Sequence, residues 1–236
     1  MLTGARVLLT GATGRFGRVL ASELIRNDCE VTLIVRAPSP ETARARVASV
    51  LGTDFRQVKL VCGDVTEPFF GASARERAWL RLSTDVVVHA AAQTSFGSSL
   101  EIARRANVHA TRNTLEFAER MPRLLRFAYV STAFVAGKRM GRILETELEH
   151  SHGFHNAYQQ SKYEAEFLVR GRDDVLPVVV LRPAIVLERS DAVTQRRCLT
   201  RRRRCCHSTL GIKAATPSSR RALDDETSAE NRDRHP

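Results

Sequence analysis

Between an apolar run ending at Thr10 and an amphipathic run opening near Phe16, the chain reads Thr10-Gly11-Ala12-Thr13-Gly14-Arg15-Phe16-Gly17. Three glycines at this spacing constrain the fold more than any other feature of the sequence. The first permits a tight turn after a strand, and the second lets backbone approach a pyrophosphate. The third lets the following helix pack closely on the strand. The helix start so created presents free N–H groups to an anion. Set between a strand and a helix, the pattern predicts a dinucleotide site, contacted by Gly11, Thr13, Gly14, Arg15, Phe16 and Gly17.

The rest of residues 1–187 repeats the same grammar. Strands are expected at 6–10, 30–35, 58–62, 85–90, 126–131 and 177–182, and helices at 16–27, 40–51, 100–120 and 157–170. The strands are continuous Val/Leu/Ile runs without polar alternation, as in a parallel sheet covered on both faces. Strand–helix repetition of this kind predicts an α/β fold: a doubly wound parallel Rossmann sheet with helices on both faces.

From residue 188 onward the composition changes. The chain has no Phe, Tyr or Trp after Phe167, and Arg201-Arg202-Arg203-Arg204 leads into a polar end. Five large aliphatics in residues 191–236 are too few to offset the entropy of ordering a domain. The expected division is a dinucleotide-binding domain over 1–187 and a disordered basic tail over 188–236. Out-of-frame GC-rich coding sequence would produce such text, so a truncation or frame shift is expected.

The second strand ends Leu33-Ile34-Val35-Arg36. A site for NAD usually has an acidic residue there for the ribose 2′-hydroxyl. Arg36 suits a 2′-phosphate instead, and Arg15 is placed to join it, so NADPH is expected over NADH. After the third strand, Asp64 and Val65 are expected against the adenine, although Asp64 equally suits a turn or helix cap. Ala90-Ala91-Ala92, after the fourth strand, would let the dinucleotide lie against backbone.

Tyr158 and Lys162 fall four residues apart in a predicted helix, in a chain with only three tyrosines and four lysines. Residues so spaced share a helix face. An adjacent ammonium favours phenolate and lowers a tyrosine pKa, which suits Tyr158 to proton donation near neutral pH. The alternative is an exposed helix on which the two side chains only stack. His89, at a strand end among apolar residues, is expected to be structural.

Composition excludes several classes. The formal charge of +11 divides into +6 before residue 191 and +5 after it, so the folded part is only mildly basic and nucleic acid is not expected as a partner. Five cysteines without metal-ligand spacing argue against a disulfide framework and for a reducing cytoplasm. His150, His152 and His155 lack an acidic partner at metal-binding spacing, so no metal is expected. No apolar stretch reaches the ~20 residues needed to span a bilayer.

Taken together, the glycine spacing, Gly63-Asp64, His89-Ala90-Ala91-Ala92, Asn107-Val108 and Tyr158-x-x-x-Lys162 resemble the extended short-chain dehydrogenase/reductase family. Phe127-Ala128-Tyr129-Val130-Ser131-Thr132-Ala133, the segment from Asn156 to Glu166, and Leu181-Arg182-Pro183 are similar to its thioester-reductase branch. That branch includes fatty acyl-CoA reductases and the terminal reductase domains of carboxylic acid reductases and peptide synthetases. The resemblance covers residues 5–187. It implies that Thr132 (or Ser131) holds the substrate carbonyl, Tyr158 donates the proton, and Lys162 binds the nicotinamide ribose. It implies for Asn107 either a water in the proton relay or a helix cap. The implied reaction is NADPH-dependent reduction of an acyl thioester, small or carrier-bound, to aldehyde or alcohol. The branch normally continues past the Arg-Pro segment into a substrate region, which is expected to be missing here, with any thioester arriving on a separate molecule. Alternatives on the same residues are a nucleotide-sugar epimerase or dehydratase, a carbonyl reductase, or a non-catalytic dinucleotide-binding fragment. Members of the extended family are often homodimers.

Overall fold

A computed structural model describes residues 3–52 and 58–186; the expected basic tail lies outside these. Within them, six strands form one sheet: β1 (Arg6–Thr10), β2 (Glu30–Val35), β3 (Lys59–Cys62), β4 (Val86–His89), β5 (Arg126–Val130) and β6 (Val178–Leu181). Every pairing is parallel, and the order is β3-β2-β1-β4-β5-β6. The helices are α1 (Arg15–Arg26), α2 (Pro40–Leu51), α3 (Ala74–Leu82), α4 (Leu100–Arg104), α5 (Ala110–Ala118) and α6 (Ala157–Arg170). The expected doubly wound parallel sheet is therefore present, with every anticipated strand within one residue of its bounds.

The uninterrupted apolar strands are explained by two cores. Leu8, Ile34, Val61, Val87 and Phe127 pack on one side with Leu80 of α3, Leu115 and Phe117 of α5, and Val169 of α6. Their alternate neighbours Val7, Leu9, Val31, Leu33, Val86 and Val88 pack on the other with Ala21 and Leu24 of α1 and Val47 of α2. The inner strands β1, β2 and β4 are buried on both faces, so both sets of their positions are largely apolar.

Local chemistry sets the helix starts. Ser39 caps α2 by accepting from the Thr42 N–H at 3.2 Å, with Pro40 in the first turn. Ser73 and Glu76 form a reciprocal capping box at α3, and the Asn156 side chain accepts from the Gln159 N–H at 3.0 Å to start α6. Such caps each contribute about 1 kcal/mol.

Two features depart from the sequence reading. Helix α3 was not anticipated, because only Leu80 on it is fully buried and the apolar period is correspondingly faint. The single helix expected over residues 100–120 is interrupted by one wide π turn at Arg105–His109. Such a turn carries one extra residue and re-aims the side chains on it.

Candidate active site

In the sheet order, β1 is flanked by β2 and β4, so consecutive strands part company at this point. A crevice opens there beyond the strands' carboxyl ends, the usual ligand position in open α/β sheets. Gly11 has φ of 79°, and a Cβ on it would stand 2.5 Å from the Ala91 nitrogen. The turn after β1 therefore lies directly on the turn after β4, and the Thr10 hydroxyl ties them by accepting from the Ala91 N–H at 3.3 Å. Gly17 is equally constrained, because a Cβ would lie 2.0 Å from the Gly11 carbonyl oxygen. Gly14 is different. It has an ordinary φ of −81° and starts α1 without a side-chain cap, and a Cβ there would meet only the Gly11 oxygen at 3.3 Å. The chain's own packing constrains Gly14 far less than Gly11 or Gly17. The space beside it and the uncapped N–H groups suit an approaching phosphate.

The cleft between these turns has a volume of about 330 Å³ and is lined by Gly11, Thr13, Arg36, Asp64, Val65 and the Ala90–Ala92 run. Asp64 accepts from the Thr66 N–H and hydroxyl, both at 2.9 Å, so it caps its own turn while facing the cleft. Burial pushes the Asp64 carboxyl up, but the Thr66 hydrogen bonds and Arg36 outweigh it, and the net shift is downward. Arg36 lies 3.6 Å from the Asp64 carboxylate with its side chain largely exposed. Arg15 is exposed at the start of α1. Phe16 lines a separate cleft, with Val180, Leu181 and Pro183, because each helical step turns the side chain by about 100°.

Beside this cleft, β5 and the start of α6 bring together the second group. Tyr158 stands in the first turn of α6, 9% exposed, near enough to Thr132 for that side chain to act on its pKa. Thr132 also caps the short helical turn that follows by accepting from the Phe134 N–H at 3.2 Å. Ser131 is otherwise engaged: its hydroxyl donates to Glu166 at 2.5 Å. Lys162 is 2% exposed, and its Nζ donates to the Tyr129 hydroxyl at 2.7 Å and the Val130 carbonyl at 2.8 Å.

These contacts correct the electrostatic expectation for Tyr158. Burial raises its pKa, offset in part by Thr132; the ammonium of Lys162 instead sits on Tyr129. Burial also brings Lys162 down to about 7, against the attraction of Glu166. Sharing a helix face puts two side chains on the same side, but their tips reach different partners: a phenol ends near the strand terminus, and a four-carbon stem reaches along the strand.

Asn107 is tied into a loop-to-helix contact and caps no helix. It is 1% exposed within the wide turn of Arg105–His109. Its Oδ1 accepts from the Gln93 N–H at 2.7 Å, and its Nδ2 donates to the Gln93 carbonyl at 3.0 Å and to Ser161 Oγ at 2.8 Å. The side chain thus binds the loop after β4 to α6. That loop carries Phe96, 59% exposed, with its ring 5.7 Å from Tyr158 and 6.3 Å from Phe134. Phe96 and Tyr129 were missed in the sequence. Their spacing in Phe127-Ala128-Tyr129 and Thr94-Ser95-Phe96 carries no chemical pattern, and only the folded chain sets them against Lys162 and Tyr158.

His89 is fully buried, as a structural histidine should be. Thr111 donates to the Asn107 carbonyl at 2.6 Å, so His89 Nε2, 3.1 Å from Thr111 Oγ1, must be the donor of that contact. Its Nδ1 then accepts from the Thr10 hydroxyl at 2.8 Å. Burial holds His89 neutral, with its pKa lowered to about 3. Below pH 6.5 the unfolded chain takes up a proton here that the native state refuses until near pH 3. Stability should therefore fall as pH drops through that window, by on the order of 2 kcal/mol between pH 6.5 and 5. Urea denaturation at stepped pH would show this slope, and a His89→Gln variant should lose it. No group of three or more metal-ligating side chains occurs among the described residues, and no helix among them is long and apolar enough to cross a membrane.

The sequence profile of the male sterility protein family matches residues 9–214. The chain belongs to this family. The match runs past residue 187, where the tail was expected to begin. The male sterility domain is 28% identical over 220 residues to fatty acyl-CoA reductase wat of Drosophila melanogaster, covering 77% of this chain and 43% of that protein. It is 34% identical over 146 residues to human fatty acyl-CoA reductase 2, covering 56% and 28% respectively. Among solved structures it superposes on the terminal R domain of the myxalamid PKS-NRPS pathway with a TM-score of 0.71 at 34% identity, covering 77% of this chain and 49% of that one. The reductase domain of a nonribosomal peptide synthetase from Mycobacterium tuberculosis gives a TM-score of 0.67 at 29% identity, covering 79% and 49%. The chain spans less than half the length of each of these relatives. The expected thioester-reductase branch of the extended short-chain dehydrogenase/reductases is thus the branch to which the male sterility domain is similar.

Proposed function

We propose that this chain is the dinucleotide-binding and proton-donating part of an NADPH-dependent reductase of acyl thioesters. The observation that carries the reading is Tyr158 buried in the first turn of α6, near enough to Thr132 for that side chain to oppose the upward pull of burial on its pKa, and one helical turn from buried Lys162. The neighbouring strand β4 ends in the Ala90–Ala92 wall of the cleft. The relatives named as fatty acyl-CoA reductases and synthetase reductase domains support the substrate class.

The cleft fits a dinucleotide: the open side of Gly14 and the uncapped start of α1 receive the pyrophosphate, and Asp64 and Val65 border the adenosine end. A reduced nicotinamide bound in this cleft would supply hydride to the thioester carbonyl carbon. Thr132 and Tyr158 hold the carbonyl oxygen, and Tyr158 gives it a proton as negative charge builds there. The hemithioacetal then releases thiol to leave an aldehyde. Lys162, held by Tyr129 and the Val130 carbonyl, would hold the nicotinamide ribose. Asn107 serves by fixing the loop after β4 against α6, and Phe96 supplies an apolar wall next to Tyr158 for the acyl group.

For the cofactor, Arg36 ends β2 where an acidic residue would bind a bare ribose, and Arg46 lies beside it, donating to the Arg36 carbonyl at 2.9 Å. An Arg36–phosphate contact is charge-assisted, worth about 1.5–3 kcal/mol. Arg36→Ala should therefore weaken NADPH binding by about 10- to 100-fold and leave NADH binding nearly unchanged, as read by fluorescence titration of each. NADH binding as tightly as NADPH to the unaltered chain would overturn the preference. Incubation with NADPH and acyl-CoA, following nicotinamide absorbance, tests the reaction itself. Turnover of UDP-sugars or simple ketones in place of thioesters would redirect the assignment to another chemistry of the same fold.

A further inference from the structure

The immediate partner of Lys162 is a second tyrosine. Tyr129 lies on β5, fully buried, with its ring centroid 4.1 Å from Lys162 Nζ and its hydroxyl 2.7 Å away. Burial pushes the Tyr129 phenol well above its ordinary range, so its hydroxyl keeps its proton and its oxygen accepts from the Lys162 ammonium. His89 stacks on the ring at 5.8 Å and closes the far side of the pair.

We propose that Tyr129 is a positioning residue of the reductase site: with the Val130 carbonyl it occupies two of the three Lys162 ammonium donors and leaves the third for the bound dinucleotide. The inference rests on the reductase reading for its purpose but not for its test. A lysine has three donors and a flexible stem, and buried without fixed partners it would sample several rotamers. Two hydrogen bonds to one strand leave it a single arrangement. The other ionisable groups facing this ammonium are Glu166 on its own helix and His89 on β4. Tyr129→Phe leaves these in place and keeps the ring.

The test uses the full chain with ¹³C-labelled lysine, whose four lysines give four side-chain signals, the Lys162 signal being assigned with Lys162→Met. In Tyr129→Phe the Lys162 titration midpoint should fall by about one pH unit, because an acceptor that favours the charged form is lost. The other three midpoints should stay fixed, and NADPH should bind about tenfold more weakly. An unmoved Lys162 midpoint together with unchanged NADPH affinity would overturn the proposal. If Tyr129→Phe does not fold, the reciprocal measurement decides. Lys162→Met should move the ring signals of Tyr129 and leave those of Tyr163 alone; unmoved Tyr129 signals would equally sink it. A shifted midpoint in a chain that reduces no thioester would leave the anchor standing and remove the reductase reading.

Discussion

Replacing Tyr158 by Phe should lower thioester reduction by about 10²- to 10⁴-fold, the usual contribution of a positioned general acid, while NADPH affinity stays within about twofold. The hydroxyl is the group removed; the ring, which packs on Phe96, remains. The phenol sits at the strand end with Thr132, away from the Gly11–Asp64 part of the cleft, so cofactor binding has little reason to change. Burial holds the empty-site phenol above its ordinary pKa, which keeps it protonated and ready to donate across the neutral range. Stopped-flow absorbance at saturating NADPH gives the rate, and a fluorescence titration gives the affinity. Equal single-turnover rates in the two proteins would remove Tyr158 from the mechanism.

Truncating Glu166 to Ala should cost about 3–5 kcal/mol of stability, the range for removing one member of a buried ion pair. The Glu166 carboxylate is 0% exposed and accepts from Ser131, from Arg170 at 3.0 Å, and from Arg182 at 2.6 Å. It therefore fastens α6 to the end of β5 and, through Arg182, to the segment after β6. Arg182 has only 9% of its side chain exposed, so its guanidinium would be left buried without its counter-charge. The lost carboxylate also removes a favourable charge from Lys162, so NADPH binding should weaken as well. Thermal denaturation measures the first effect and cofactor titration the second. A fall in melting temperature no larger than that of an exposed Glu145→Ala control would show that the network is not a stabilising one.

Much of this architecture was legible in the sequence because it depends on local constraints. Inner strands buried on both faces are largely apolar, and six apolar runs marked the sheet. The constraint on Gly17 comes from the Gly11 backbone six residues earlier, so that part of the triplet predicts its own geometry, whereas Gly11 is held by Ala90 and Ala91 from a distant turn. Helix α3 escaped notice because it buries one leucine, although its Ser73-x-x-Glu76 box was readable as a helix start. The wide turn at Asn107 was not legible, since nothing in Arg105-Ala106-Asn107 announces an extra residue in the turn. The same holds for Phe16, whose direction is set by a helical rotation and not by its place among the glycines.

The sequence by itself determined the parallel sheet, the dinucleotide turn, and the presence of Tyr158 and Lys162 on one face of a helix. Each follows from interactions between residues close in the chain or from burial pattern alone. Only the tertiary structure decided whom those side chains meet: Thr132 for Tyr158, Tyr129 and the Val130 carbonyl for Lys162, Gln93 and Ser161 for Asn107. Those partners lie on other strands and loops, tens of residues away. Hydrogen bonds reach about 3 Å, so the pairing is settled by how α6 sits on β5, a distance that no spacing in the chain encodes.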